Sequence, residues 1–156
     1  MKSSLLNIVL VEPEIPPNTG SIARLCGATE TVLHLVRPLG FSTDDRYLKR
    51  AGLDYWKFVD IVYWENFDTF LAKNKLRKLR FFSKKATKSY LTCNFSNDDF
   101  LIFGKETKGL PDFILNNFQE QCYQIKIDNP NVRSLNLAMA CGIVLYEARR
   151  QLGLQQ

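Results

Sequence analysis

The stretch from Pro130 to Arg150, PNVRSLNLAMACGIVLYEARR, constrains the fold of this chain more than any other. Pro130 and Asn131 break regular structure, and the residues after them carry apolar groups at helical spacing. Leu135, Ala138, Met139, Gly142, Leu145 and Tyr146 form one apolar set, and Leu137, Ala140, Cys141, Val144 and Ala148 form another. A helix lying on one sheet face needs a single stripe. Two stripes describe either an ordinary core helix or one whose second side is covered by another subunit. Small residues at Ala138, Ala140 and Gly142 would allow close approach there. Ser134 is the expected N-cap, because its hydroxyl can accept from the free amides of the first turn.

Ahead of this helix, short apolar runs alternate with helical stretches. Leu5–Val11, Val32–Val36, Phe58–Trp64, Leu79–Ser83, Phe100–Phe103 and Cys122–Ile127 read as strands. Helices are expected from about Asn18 to Ala28, from Asp44 to Ala51, from Phe67 to Asn74, and briefly up to Asn117. This order predicts a single-domain α/β fold over residues 1–156, a mostly parallel sheet with helices on both faces. The length suffices for one core, and 46% hydrophobic residues argue against disorder. No apolar run approaches a membrane span. The N-terminal run meets Glu12 and Glu14 where a leader would carry a cleavage site, so it reads as a first strand in a cytoplasmic protein.

Charge and cysteine use narrow the chemistry. The net charge is +5, and Lys73 to Lys88, KNKLRKLRFFSKKATK, contains no acid. Such a run is either a phosphate-facing patch or a merely soluble basic surface. The four cysteines are scattered, and His34 is the single histidine. A structural zinc site or a Cys-His nucleophile pair is poorly supported, and no metal is expected. His34, in LHLV, reads as a packed or solvated structural residue.

Ligands of open α/β sheets lie beyond the carboxyl ends of the strands. Three loops fall there: Glu12 to Arg24, Gly104 to Gly109, and Ile127 to Asn136. There is no GxGxxG after the first strand, no GxxxxGK[ST] and no GxSxG, so dinucleotide, P-loop and nucleophile-elbow sites lack support.

IVLVEPEIPPNTGSIARLC, RPLGF with LKRAGLDYW, FLIFGKETKGLP and RSLNLAMACGIVLYEARRQLG together resemble the SPOUT class of RNA methyltransferases. Within it the chain is similar to the small tRNA wobble-position 2'-O-methyltransferases. The resemblance implies a C-terminal deep trefoil knot, a homodimer with the first and last helices in its interface, and S-adenosylmethionine held in the knot. It implies cofactor contacts at Phe82, Gly104, Ile127 and Ser134, and catalytic roles for Arg24, Ser134 and Asn136. Ala138 stands where the family usually carries serine.

The implied reaction is attack by a tRNA ribose 2'-hydroxyl, of a wobble cytidine or modified uridine, on the sulfonium methyl. An arginine is a poor base, so Arg24 is read as holding the adjacent phosphate. Glu106 would brace its loop, with Asn18 beside it. Arg46, Lys49, Arg50 and the Lys73–Lys88 run are candidates for contact with the anticodon loop. Tyr55 and Trp56 could stack on unpaired bases. Tyr146 would touch the partner subunit or RNA, or simply pack in the core. A non-catalytic RNA-binding dimer and a flavodoxin-like small-molecule enzyme are the alternatives.

Overall fold

The computed structural model describes residues 6–44, 46, 48, 50 and 55–154. Its strands are β1 (Asn7–Val11), β2 (Val32–Val36), β3 (Ile61–Trp64), β4 (Leu79–Phe82), β5 (Lys88–Ser89), β6 (Phe100–Phe103) and β7 (Cys122–Gln124). They form one sheet in the order β3-β2-β1-β6-β4-β7-β5. Every described pairing is parallel. Parallel neighbours cannot be joined by hairpins and need crossovers. The helices are α1 (Pro16–Thr29), α2 (Phe67–Lys73), α3 (Asp112–Asn117) and α4 (Leu137–Gln151). None of the described helices is long and apolar enough to cross a membrane.

The strands read as continuous apolar runs because both sheet faces are covered. Side chains alternate in direction along a strand, and the core divides accordingly. Ile8 and Leu10 of β1 join Leu33, Leu35, Leu101 and Phe103 under α1 and α4. Val9 and Val11 join Val36, Phe81 and Ile102 on the opposite face, where Phe67 and Phe70 of α2 and Ile114 of α3 cover them.

Helix α4 buries Leu137, Cys141, Val144, Leu145 and Ala148. Its other side leaves Met139, Ile143 and Tyr146 exposed, Met139 by 66%. The expected stripe through Leu135, Met139 and Tyr146 is thus split: Leu145 is in the core and Ala138 packs against it, while Met139 and Tyr146, with Ile143 of neither expected stripe, face outward. Tyr146 carries the Arg149 guanidinium 5.6 Å from its ring centre.

Several boundaries differ from expectation. The N-cap of α4 is Asn136, whose Oδ1 accepts from the amides of Ala138 and Met139. Ser134 lies before the helix, because Asn136 satisfies the same orphan donors at the helix's actual first turn. Helix α1 starts at Pro16, ahead of Asn18; a proline has no N–H to lose at the first helical positions. Strand β3 begins at Ile61 and β7 ends at Gln124, which leaves Ile127 in a loop. The two-residue strand β5 has too little sequence for any periodicity to show. Of the expected Asp44–Ala51 helix, Arg46, Leu48 and Arg50 are helical; Lys49 lies outside the described residues.

The basic run does not form one surface. Residues 74–78 precede β4 and residues 83–87 follow it, so in a parallel sheet they lie at opposite ends. Within the strand, Arg80 is turned to the buried Asp99, with Nε 3.1 Å from its Oδ2. Lys88 pairs with Glu120 at 3.8 Å. Only Lys84 and Lys85 remain at the carboxyl end of β4.

Candidate active site

The sheet reverses direction of growth at β1: β2 and β3 lie to one side, β6, β4 and β7 to the other. A crevice at such a switch point is where an open α/β sheet takes its ligand. A cavity of about 1000 Å³ opens there, beyond the carboxyl ends of β1, β6, β4 and β7. Phe82, Phe103, Leu110, Ile125, Ile127 and Leu137 supply its apolar wall, and the backbone of Gly104–Pro111 supplies polar edges. Phe82 stacks on Phe103 with centroids 5.1 Å apart, which holds the floor rigid.

Glycine is required at position 104. A Cβ there would lie 2.0 Å from the carbonyl carbon of Gly109 and 2.2 Å from the amide nitrogen of Leu110. The 104–110 loop folds back on itself, closed by Gly109 N–H donating to the Lys105 carbonyl at 2.9 Å. Gly109 has φ +68°, in the left-handed region that favours glycine. Glu12, with φ 54°, also occupies that region at the exit of β1; a non-glycine there stores about 1 kcal/mol or more of strain.

A polar relay ties the three loops together. Asn136 is oriented by its capping bonds, so its Nδ2 must donate, and it does so to Asn18 Oδ1 at 3.0 Å. Asn18 Nδ2 then donates to Glu106 Oε2 at 3.2 Å. The Glu106 carboxylate also accepts from the amides of Glu14 (2.8 Å) and Ile15 (2.9 Å). Helix α1 has no side-chain cap of its own. Glu106, from another loop, instead binds the amides of Glu14 and of Ile15 just ahead of the first turn, and a carboxylate there suits the positive end of the helix dipole. In return, Glu14 Oε1 accepts from the Thr107 amide and hydroxyl, which lowers the Glu14 pKa. Lys105 pairs with Glu12 at 3.1 Å.

The cavity thus gathers Asn18, Phe82, Gly104, Glu106, Ile127, Ser134 and Asn136. Arg24, Arg46, Arg50 and Tyr146 do not line it. Arg24 sits on the exposed side of α1, its guanidinium 4.9 Å from the Tyr55 ring centre. Lys84 and Lys85, from the basic run, line the cavity as well, whereas sequence reasoning assigned Glu12, Glu14 and Lys105 no part in the site. For Glu12 and Glu14 the signal was available, since two acids flanking a proline at a strand exit seldom serve a helix that begins beyond them.

The SpoU rRNA Methylase family profile matches residues 5–146. This chain belongs to that family. A Yersinia pestis relative, a tRNA (cytidine(34)-2'-O)-methyltransferase, is 46% identical over 155 residues, covering 96% of this chain and 95% of its own. The Escherichia coli K12 protein of the same description is 45% identical over 150 residues, covering 96% and 95%. A solved structure concerned with 2-OH methylation of C/U34 on tRNA superposes with a TM-score of 0.90 at 43% identity, covering 96% of this chain and 97% of the other. For this SpoU-family chain, the parallel sheet with helices on its faces is the fold it shares with that structure.

Proposed function

We propose that this chain, acting as one methyltransferase domain over residues 1–156, methylates the 2'-oxygen of the tRNA wobble nucleotide, cytidine or modified uridine, with S-adenosylmethionine as donor. The observation that carries the reading is the relay from Asn136 through Asn18 to Glu106, which draws all three loops around one cavity in a chain that matches wobble methyltransferases along nearly its full length.

The cavity's donor set fits an adenosyl group. Apolar walls at Phe82, Ile125 and Ile127 suit a flat base, and backbone groups exposed by the absence of a Cβ at Gly104 suit its polar edge. Bound S-adenosylmethionine supplies an electrophilic methyl on a sulfonium. Transfer would form a C–O bond from a ribose oxygen lone pair as the C–S pair returned to sulfur, with the hydroxyl proton passing to solvent or to the adjacent phosphate. The chain's task is alignment, a proximity effect. Ser134 and Asn136 stand at the rim to orient ribose and cofactor, and Glu106 fixes the loop behind them. Arg24 does not line the cavity of its own chain, so it reaches the reacting groups across an interface. A homodimer packed through the exposed Met139–Tyr146 side of α4 and the adjoining α1 supplies that interface, with Arg24 holding the phosphate beside the target. The deep trefoil knot of the SPOUT class accords with the folded-back loop at Gly104, and a tRNA substrate accords with a cytoplasmic enzyme.

The test is methyl transfer by the purified chain to bulk tRNA from cells lacking the enzyme, read by nucleoside mass spectrometry. A new 2'-O-methylated wobble pyrimidine, lost in Arg24→Ala, is the expected result. Neither product nor S-adenosylmethionine binding would overturn the reading in favour of a non-catalytic RNA-binding dimer.

A further inference from the structure

The cavity lining contains five cations, Lys84, Lys85, Lys105, Lys108 and Arg133, against three carboxylates, Glu12, Glu106 and Asp112. Each carboxylate is already engaged. Glu12 pairs with Lys105, Glu106 accepts from the Glu14 and Ile15 amides, and Asp112 lies 3.4 Å from Lys85. Lys108 is close enough to Glu14 to help hold its carboxyl below the usual range. Lys84 and Arg133 are left with no carboxylate partner among the described residues.

Lys84 is tied to the backbone that carries Arg133. Lys84 Nζ donates to the Arg133 backbone carbonyl at 3.1 Å. That bond ties the loop after β4 to the loop before α4, at the exposed mouth of the cavity. The carbonyl leaves the charge of Lys84 without an anion, and Arg133 has none among the described residues either, so an oxyanion arriving at the mouth meets two uncompensated cations. A lysine offers a point charge and an arginine a planar fork, a pairing suited to phosphate. Residues 128–136 are exposed along their whole length, so the mouth is open to a polymer.

We infer that Lys84 and Arg133 form a clamp for a backbone phosphodiester of the bound strand, a different one from the phosphate given to Arg24. This rests on the tRNA methyltransferase reading above. It also divides the basic run, leaving Lys73 and Lys75, before β4 and at the far end of the sheet, without a part in RNA binding. The donor's carboxylate is the other oxyanion that could come to this place. The exposed position of both side chains favours the polymer.

The test is binding of a labelled anticodon stem-loop RNA between about 0.05 and 1 M salt, compared for the wild type, Lys84→Ala/Arg133→Ala and Lys73→Ala/Lys75→Ala, together with calorimetric titration of S-adenosylmethionine. Each single-strand phosphate contact contributes about 0.7 to the salt slope. Losing two lowers the slope by about 1.4, roughly a 25-fold weakening at 0.1 M salt if the curves meet at 1 M. S-adenosylmethionine affinity and the Lys73/Lys75 variant's RNA binding should stay at wild-type values. An unchanged slope in Lys84→Ala/Arg133→Ala overturns the clamp. So does an equal loss in the Lys73/Lys75 variant, which marks a general charge effect. Loss of S-adenosylmethionine binding with RNA binding intact assigns the cations to the donor's carboxylate and overturns it too. A wild type that binds no RNA removes the tRNA reading along with the clamp.

Discussion

Replacing Glu106 by glutamine should damage both stability and methyl transfer, through a relay that has only one direction. Asn136 Oδ1 is committed to the amides of Ala138 and Met139, so its Nδ2 donates to Asn18, and Asn18 in turn donates to Glu106. The carboxylate at the end accepts from three donors: the Glu14 amide, the Ile15 amide and Asn18 Nδ2. Glutamine keeps one acceptor oxygen, so in either orientation its NH2 faces a backbone N–H. One charge-assisted bond is lost and the others become neutral ones. Bonds to a charged group are worth about 1.5–3 kcal/mol against about 1 for neutral pairs. With partial exposure, the sum is about 2–3 kcal/mol. For a chain of this size that lowers Tm by roughly 5–10 °C, and loosening of the α1 start should reduce kcat as well. A double-mutant cycle isolates the directional element. Asn18→Asp alone sets two carboxylates against each other and should destabilise. In the Glu106→Gln background the new carboxylate at position 18 instead accepts from two side-chain amides, the introduced one at position 106 and that of Asn136. Thermal unfolding of the four proteins reads the coupling. If Asn18→Asp costs the same in both backgrounds, the one-way relay is wrong.

Two further outcomes are expected. His34 accepts at Nδ1 from Trp64 Nε1–H (3.0 Å) and so carries its proton on Nε2, facing Asn7 Oδ1 at 2.9 Å. Burial pushes its pKa down from 6.5 to about 4, so the unfolded chain binds the extra proton first. This contribution to stability is complete above pH 6.5 and is lost as pH falls to 4, about 3 kcal/mol in all. Denaturant unfolding of His34→Gln should show a flatter pH dependence over that window, and identical slopes would refute the assignment. Gly104→Ala places a methyl against the Gly109–Leu110 backbone. It should cost about 3 kcal/mol and cut S-adenosylmethionine affinity, as calorimetry would read. Retention of wild-type Tm and affinity would show that the loop has another place to go.

Much of this protein is written locally in its sequence. Apolar runs such as FLIF, and IVLV after Asn7, announced strands covered on both sides, because such runs have no polar face to give to water. Helical spacing alone showed that α4 carries more apolar surface than one stripe, though it put Leu145 on the wrong side. The loops carrying Asn18, Gly104, Glu106, Ser134 and Asn136 could be placed at strand ends, because turn residues and strand order are properties of the chain itself. The family resemblance was equally legible, because it rests on motifs in order along the chain. Tertiary structure decided what depends on separate segments meeting. It gave Asn136, the cap found in place of Ser134, a second task, since its free Nδ2 meets Asn18 across the cavity. It brought Glu106 to the amides just ahead of a helix some ninety positions earlier in the chain, a contact that no local pattern encodes. It also split the basic run: eight cations close together in sequence look like one patch, but a parallel strand carries the chain from one end of the sheet to the other. Charge along a sequence is one-dimensional, and the sheet determined which of those charges reach the mouth of the cavity.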